Sequence, residues 1–248
     1  MSINSYVDGI LESYKRLEEE NDKLKLELKM LKIDSMQLSD LLTDEEVILK
    51  QNPVLINNVL DKISTIEKPL NKRAVLIAIA DCSGSMGIWE KYMGKSYLTW
   101  VKELLNKKYS HVEERFLLHH TEAKEVTSEE FHGKGEGGGT IASTGIKLTS
   151  SIIEEYNYED IDDIFVVYIT DGDNLTSDCP RFKKLLTNRV LNKVENFTYF
   201  EVNQYNRHST LRTSALKDIK QEGFKQVVLY DKNDMKAAVD NFHSELTK

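Results

Sequence analysis

Two apolar runs, Ala74–Ala80 and Ile164–Thr170, constrain this chain more than any other feature of it. A strand with one face in water alternates apolar and polar residues. These runs do not alternate, so each reads as a strand covered on both faces. Further strands are expected at Glu113–His119, Lys124–Thr127, Phe197–Asn203 and Gln226–Tyr230. Helices are expected at Tyr97–Lys107, Ile141–Tyr156, Pro180–Asn196, Ser209–Gln221 and Asp234–Leu246. Pro180 suits a first helical turn, with Asp178 or Cys179 before it as cap. Strand–helix alternation with buried strands predicts an α/β fold with a doubly wound, mainly parallel sheet. Glu113–His119 and Lys124–Thr127 are joined by only four residues. They should form an antiparallel hairpin, with the shorter strand on the sheet edge.

Both apolar runs end in an aspartate. Asp81-Cys82-Ser83-Gly84-Ser85-Met86 follows the first, and Asp171-Gly172-Asp173 follows the second. One carboxylate and two hydroxyls at alternate positions leave a central strand together, where open α/β sheets bind ligands. Such hard oxygens suit a small hard cation: Mg²⁺ first, with Mn²⁺ or Ca²⁺ as alternatives. Gly137-Gly138-Gly139-Thr140 can bring the Thr140 hydroxyl to the same place, and Asp171 leaves the sheet at the same edge as Asp81. Turn capping alone would also use Ser83, Ser85 and Thr140.

Composition narrows the function classes. A net charge of −8 argues against nucleic-acid binding as a main role. No apolar run approaches the ~20 residues of a membrane helix, and no signal peptide is evident. Cys82 and Cys179 form neither a metal spacing nor a disulfide framework, which points to a reducing cytoplasm. Cys82 reads as buried and inert. Gly133–Thr140 lacks the Gly-Lys-Ser/Thr ending of a phosphate loop, so nucleotide binding is not expected.

Ahead of the sheet, residues 7–42 carry heptads. The d positions are Ile10, Leu17, Leu24, Leu31 and Leu38, and Asn21 sits among the a positions. A single Asn at a fixes register in parallel dimers, and Glu20 and Glu27 at g face Lys25 and Lys32 at e. This predicts an N-terminal α-helical coiled coil, about 55 Å long, and a homodimer; an amphipathic helix folded back on its own domain is the alternative. The expected organisation is a coiled-coil helix at 1–43, a helical linker at 44–71 and the α/β domain at 72–248.

Asp81, Ser83, Ser85, Thr140 and Asp171 together resemble the metal-ion-dependent adhesion site of the von Willebrand factor A fold. That pattern is Asp-x-Ser-x-Ser, a distant Thr, and a distant Asp in Thr-Asp-Gly. The resemblance implies that the hydroxyls approach the metal directly and the aspartates directly or through water. Hydroxyl-rich coordination leaves the ion electrophilic, so a partner's acidic side chain can complete its shell. Met86-Gly87 with Glu90-Lys91-Tyr92, His119–Val126, Thr170–Asp178 and Glu201–Arg207 resemble the YhbH family of bacterial sporulation- and stress-associated proteins. That resemblance covers about residues 72–245. It implies a regulatory or assembly role beside a PrkA-type kinase or a SpoVR-type protein. The family's N-terminal half is longer and different from residues 1–50 here.

Asp173, Asn174, His119, His120 and Glu201 are candidates to support the metal ligands or to face a partner. For His119 and His120, hydrogen-bonded structural roles are favoured over ligation. The leading functional expectation is a metal-dependent protein–protein interaction module presented by a coiled coil. A Mg²⁺-dependent phosphoester hydrolase is a competitor, although Ser83 stands where an Asp-x-Asp phosphatase loop has its second aspartate. A structural scaffold with a vestigial metal site is another. No catalytic constellation is evident, so the chain is not expected to be an enzyme.

Overall fold

The computed structural model describes residues 70–131, 138–156 and 162–247. Residues 1–43 and all but the end of the 44–71 linker lie outside these residues, as do the coiled coil and homodimer assigned to them. Six strands form one sheet: β1 Leu70–Asp81, β2 Tyr109–His119, β3 Ala123–Val126, β4 Asp162–Thr170, β5 Asn196–Val202 and β6 Phe224–Leu229. Their order is β3-β2-β1-β4-β5-β6. All neighbours are parallel except β2 and β3, which form the expected antiparallel hairpin at the edge. Leu70 and Asn71, read as linker, already belong to β1.

The helices are α1 Ile88–Lys108, α2 Ser128–Phe131, α3 Ala142–Ile153, α4 Cys179–Leu185 and α5 Asp234–Leu246. Period-two alternation splits the central strands between two cores. Ala74, Leu76 and Ala78 of β1 face α1 and α5, together with Phe165, Val167 and Phe200. Val75, Ile77 and Ile79 face α3 and α4, together with Val166, Tyr168 and Tyr199. Every residue from Ala74 to Ile79 is fully buried, which explains the unbroken apolar run. In α1, Met93, Tyr97, Trp100, Val101 and Leu104 recur at helical spacing, and Tyr97 stacks on Phe200 with ring centroids 4.2 Å apart. Among the described residues, no helix is long and apolar enough to cross a membrane.

Three helix expectations need correction. α1 begins at Ile88 rather than Tyr97. Its first two turns bury Glu90, Gly94 and Lys95, residues that break an apolar pattern in sequence. The helix expected to run to Asn196 ends after a π-helical turn at Leu186–Val190. The expected Ser209–Gln221 helix is only a π-helical turn at Leu211–Leu216.

At the amino end of the sheet, Arg73 bonds Asp162 (2.7 Å) and Glu113 (3.2 Å), and Lys72 bonds Asp163 (3.1 Å). These pairs tie β1 to both neighbours and fix the register that decides what meets at the other end. Leu76 lies in the centre of the first core. Leu76→Ala should cost about 2–5 kcal/mol, read as a lower urea midpoint at unchanged slope; a loss below about 1 kcal/mol would contradict close packing there.

Candidate metal centre

The register places four polar residues side by side at the carboxyl edge. His119 on β2 stands opposite Asp81 on β1. Ala80 stands opposite Ile169, which brings Asp81 level with Thr170 on β4, and Thr170 stands opposite Glu201 on β5. Period-two alternation turns all four toward the α3 and α4 layer. None is more than 1% exposed, so each must find a partner inside the protein or hold one from outside.

Asp81 accepts the backbone N–H of Ser83 at Oδ1 (2.8 Å) and the Thr170 hydroxyl at Oδ2 (3.2 Å). The first bond folds the β1 loop back on its own carboxylate, a common use of Asp at a chain reversal. It brings Ser83 Oγ within 3.1 Å of Ser85 Oγ. Cys82 continues the sheet ladder through its N–H to the His119 carbonyl (2.9 Å); its buried thiol donates to the same oxygen.

Thr140 is held in place through its neighbours. The Ile141 N–H bonds the His120 carbonyl (2.7 Å), and the Leu175 N–H reaches the Thr140 carbonyl (3.4 Å). The β4 loop then caps α3. Asn174 Oδ1 accepts the Ala142 N–H (3.0 Å), and Asp178 accepts both the N–H (2.9 Å) and hydroxyl (2.5 Å) of Ser143. Acidic and amide oxygens satisfy otherwise unbonded N–H groups at a helix start. The loop carrying Asp171 is thereby fastened to the helix that follows Thr140. Asp178 or Cys179 was expected to cap the Pro180 helix; Asp178 stands at that N-cap position, but its carboxylate bonds the start of α3 instead.

Asp171 is half-buried, and its Oδ1 accepts the Asp173 N–H (3.1 Å). Behind it, Gly172 has φ +88°, and a Cβ there would lie 2.4 Å from Ser209 Oγ and 2.6 Å from Glu201 Oε2. Only glycine lets the backbone pass this close in that conformation. Glu201 is fully buried. It accepts hydrogen bonds from Tyr199 (2.7 Å), Asn203 (2.9 Å) and Ser209 (2.6 Å), and pairs with Arg212 (3.0 Å). It is therefore a support beneath the Asp171 loop and not a surface residue.

His119 is also enclosed. Its Nε2 lies 2.8 Å from the Tyr168 hydroxyl, and a Cβ on Gly145 of α3 would sit 3.2 Å from its ring. Burial lowers its pKa, which favours the neutral imidazole. His120 is half-buried, and its Nδ1 accepts the Thr121 N–H (2.6 Å). Asp173 is exposed and accepts the Asn174 N–H (2.9 Å). Asn174 is buried in the α3 cap. Of these five residues, only Asp173 and His120 reach the surface.

Burial pushes the Asp81 carboxyl above its usual range, and nearby Asp171 adds to this; His119 and the Ser83 bonds oppose it. No lysine or arginine pairs with Asp81 among the described residues. A carboxylate removed from water without a cation is costly, and a hard dication would supply what is missing. The alcohol and carboxylate oxygens fit that ion. No group of three or more His, Cys, Asp and Glu that could hold a metal ion occurs among the described residues, so a cation here would depend on the hydroxyls.

Sequence reasoning brought the five candidate residues to one edge but missed Thr170, Ser143, Ser209, Arg212 and the bonds of Asp178. Only Thr170, next to Asp171, carried a visible signal.

Asp178→Ala should lower Mn²⁺ affinity by about 10–100-fold, the usual effect of removing a residue that orients a ligand, measured by isothermal titration. A second expectation concerns pH. Because the folded Asp81 pKa is raised, protonated Asp81 favours the metal-free fold below the unfolded value near 4. That advantage is lost as pH rises through the folded pKa. At pH 7, metal-free Asp81→Asn should therefore melt no lower than the parent chain; a clearly lower melting temperature would contradict the desolvation cost.

The model of the family described as "Protein of unknown function (DUF444)" matches residues 59–245. UPF0229 proteins of Bacillus cereus strain B4264 and Bacillus thuringiensis strain Al Hakam are each 47% identical over 175 residues, 71% of this chain. The match spans 44% of each relative, so this chain corresponds to less than half of their length. Among solved structures, a von Willebrand factor type A protein from Catenulispora acidiphila aligns with TM-score 0.48 at 16% identity, over 71% of this chain and 42% of that one. An aerotolerance-related membrane protein from Bacteroides fragilis aligns with TM-score 0.44 at 14% identity, over 70% and 98%. With the family match covering most of the chain, the protein belongs to the DUF444 family.

Proposed function

We propose that residues 72–248 act as a metal-dependent protein-recognition domain of the von Willebrand factor A type. The observation that carries this reading is the buried Asp81 carboxylate, which has no cationic partner among the described residues and lies beside two hydroxyls, with the Thr140 and Asp171 loops fastened to each other. Asp81, Ser83, Ser85, Thr140 and Asp171 would hold Mg²⁺, with Mn²⁺ or Ca²⁺ as substitutes. The ion, when bound, supplies an electrophilic position for a carboxylate of a partner protein. The protein's own part is to hold five oxygens in place with bonds that do not use the ion. Hydrolysis would have to draw on His120 or Asp173, because His119, the histidine level with Asp81, is sealed against Tyr168. His119 has no path to a substrate as a base.

The sequence strings shared with the YhbH family support a regulatory or assembly role in bacterial sporulation or stress response. The cytoplasmic partners would be a PrkA-type kinase or a SpoVR-type protein. The heptads support a homodimer presenting two such sites, which raises avidity for a multivalent partner.

Saturating Mg²⁺ should raise the stability of the parent chain by about 2.7 kcal/mol at a hundredfold excess over Kd, and should leave Asp81→Asn unmoved. Purified SpoVR-type and PrkA-type proteins should bind the parent chain in Mg²⁺ and lose it in EDTA. Binding that is indifferent to both EDTA and Asp81→Asn would sink the metal-dependent reading. Light scattering should give a dimer for the full chain and a monomer without residues 1–50.

A further inference from the structure

The end of the sheet away from Asp81 holds a cavity of about 270 Å³. It lies between the amino ends of β4, β5 and β6 and the last turns of α1 and α5. Phe165, Val194, Phe242 and Leu246 give it an apolar wall, and the Phe165 and Phe242 rings meet edge to face with centroids 6.1 Å apart.

One polar side chain in this wall is incomplete. Asn196 is only 3% exposed. Its Oδ1 accepts the hydroxyl of Thr198 (2.7 Å), two residues further up β5, and Thr198 in turn bonds the buried Tyr97 hydroxyl. A carboxamide is planar. The bond that turns Oδ1 up the strand therefore turns Nδ2 the other way, toward the amino end where the cavity lies. Nδ2 has no hydrogen-bond partner among the described residues. A buried donor without an acceptor costs about 1–3 kcal/mol, and in native proteins such groups are rare.

The charges that line the cavity are uneven. Lys108 donates to the Leu246 carbonyl and lies 5.7 Å from the centre of the Tyr109 ring. Glu245 pairs with Lys225 (3.0 Å). Glu195 and Glu222 are exposed, so they stand at the mouth, and neither pairs with a cation among the described residues. These glutamates do not form a metal site, since no group of three or more His, Cys, Asp and Glu that could hold an ion occurs among the described residues. The wall thus lacks an acceptor at its buried end and a positive charge at its open end.

We propose that this cavity binds a small aliphatic ammonium compound that carries an uncharged hydrogen-bond acceptor, as a monoacylated diamine does. The acceptor oxygen takes the Asn196 Nδ2 proton, the methylenes lie on Phe165 and Phe242, and the ammonium meets Glu195 and Glu222. Pockets for drug-sized ligands run to roughly 300–1,000 Å³, so a space just below that range suits a compound of this size and not a nucleotide. An anionic ligand would be repelled by the same two glutamates. The site uses none of the residues at the carboxyl edge and needs no ion at Asp81.

Isothermal titration of the full chain with N-acetylputrescine tests this. The controls are butylamine, which lacks the acceptor, and N-butylacetamide, which lacks the charge. Butylamine should bind about tenfold more weakly, the worth of one hydrogen bond. N-butylacetamide should bind about fivefold more weakly, the worth of an exposed ion pair. The double variant Glu195→Gln, Glu222→Gln should weaken N-acetylputrescine by the same factor and leave N-butylacetamide unmoved. Val194→Trp, at a half-buried position in the wall, should fill the space and abolish binding. EDTA should change nothing. If N-acetylputrescine does not bind, water alone serves Asn196 and the proposal is overturned. Butylamine binding as tightly as N-acetylputrescine shows only an acidic surface and overturns it. Binding that EDTA removes, or that a folded Val194→Trp leaves intact, belongs elsewhere on the chain and overturns it too. Should Val194→Trp fail to fold, the glutamine variant, made at exposed positions, decides: an unchanged affinity for N-acetylputrescine overturns the site.

Discussion

The carboxylate of Asp81 is the constraint around which the carboxyl edge is arranged. It sits at the end of a strand whose middle, Ala74–Ile79, is fully buried, and is itself almost without solvent contact. Its two oxygens are met by the Ser83 N–H and the Thr170 hydroxyl, and neither neutralises a charge. Neutral hydrogen bonds soften the desolvation cost of a buried anion but do not cancel it. The raised pKa has the same origin. A fold with no use for this carboxylate would do better with an amide or an apolar residue here.

The neighbouring buried acids have been treated differently. Glu201, two strands away on the same rung, has Arg212 and three neutral donors. Asp178 is satisfied by the start of α3 and by Ser143. Both are fully accounted for within the chain, and both act on loops that carry donor residues. Glu201 with Ser209 closes on Gly172 beside Asp171, and Asp178 with Asn174 closes on the helix after Thr140. The geometry of the donors is thus set by acids that are themselves complete. This division holds the incomplete carboxylate in place without help from outside the chain, and a loop ordered in advance would lose less entropy on binding any ligand.

The sheet was readable in the sequence where both faces of a strand are buried, since Ala74–Ala80 and Ile164–Thr170 have no polar interruption. The hairpin was readable from a four-residue connection too short for a parallel crossover. The start of α1 was hidden because Glu90 and Lys95 are buried there and Gly94 carries no side chain. The turn at Leu211–Leu216 was overread because its apolar residues repeat at nearly helical spacing while its backbone does not continue. The five oxygen-bearing candidates stood out in the sequence because each lies next to a strand end or a glycine run. Their supports were not. Asp178 caps a helix 35 residues earlier, and Glu201 acts on Gly172 across a strand pairing; such partners become visible only with register.

The two ends of the sheet answer to different demands. At the amino end, Arg73 and Lys72 pair with Asp162, Glu113 and Asp163, and Lys72 is well exposed. Exposed pairs contribute about 1 kcal/mol or less each, so their main effect is on alignment. The middle of the sheet holds the stabilising apolar layers. The carboxyl end combines a desolvated carboxylate, a buried imidazole nitrogen without a partner at His119 Nδ1, and four large hydrophobics facing water. Each of these three features lowers or fails to raise stability, and they share one edge. Their coincidence is hard to attribute to folding, which would place such liabilities anywhere or remove them. A cation would relieve the carboxylate and an apolar contact would cover the hydrophobics, so the liabilities of this edge call for two kinds of partner rather than one.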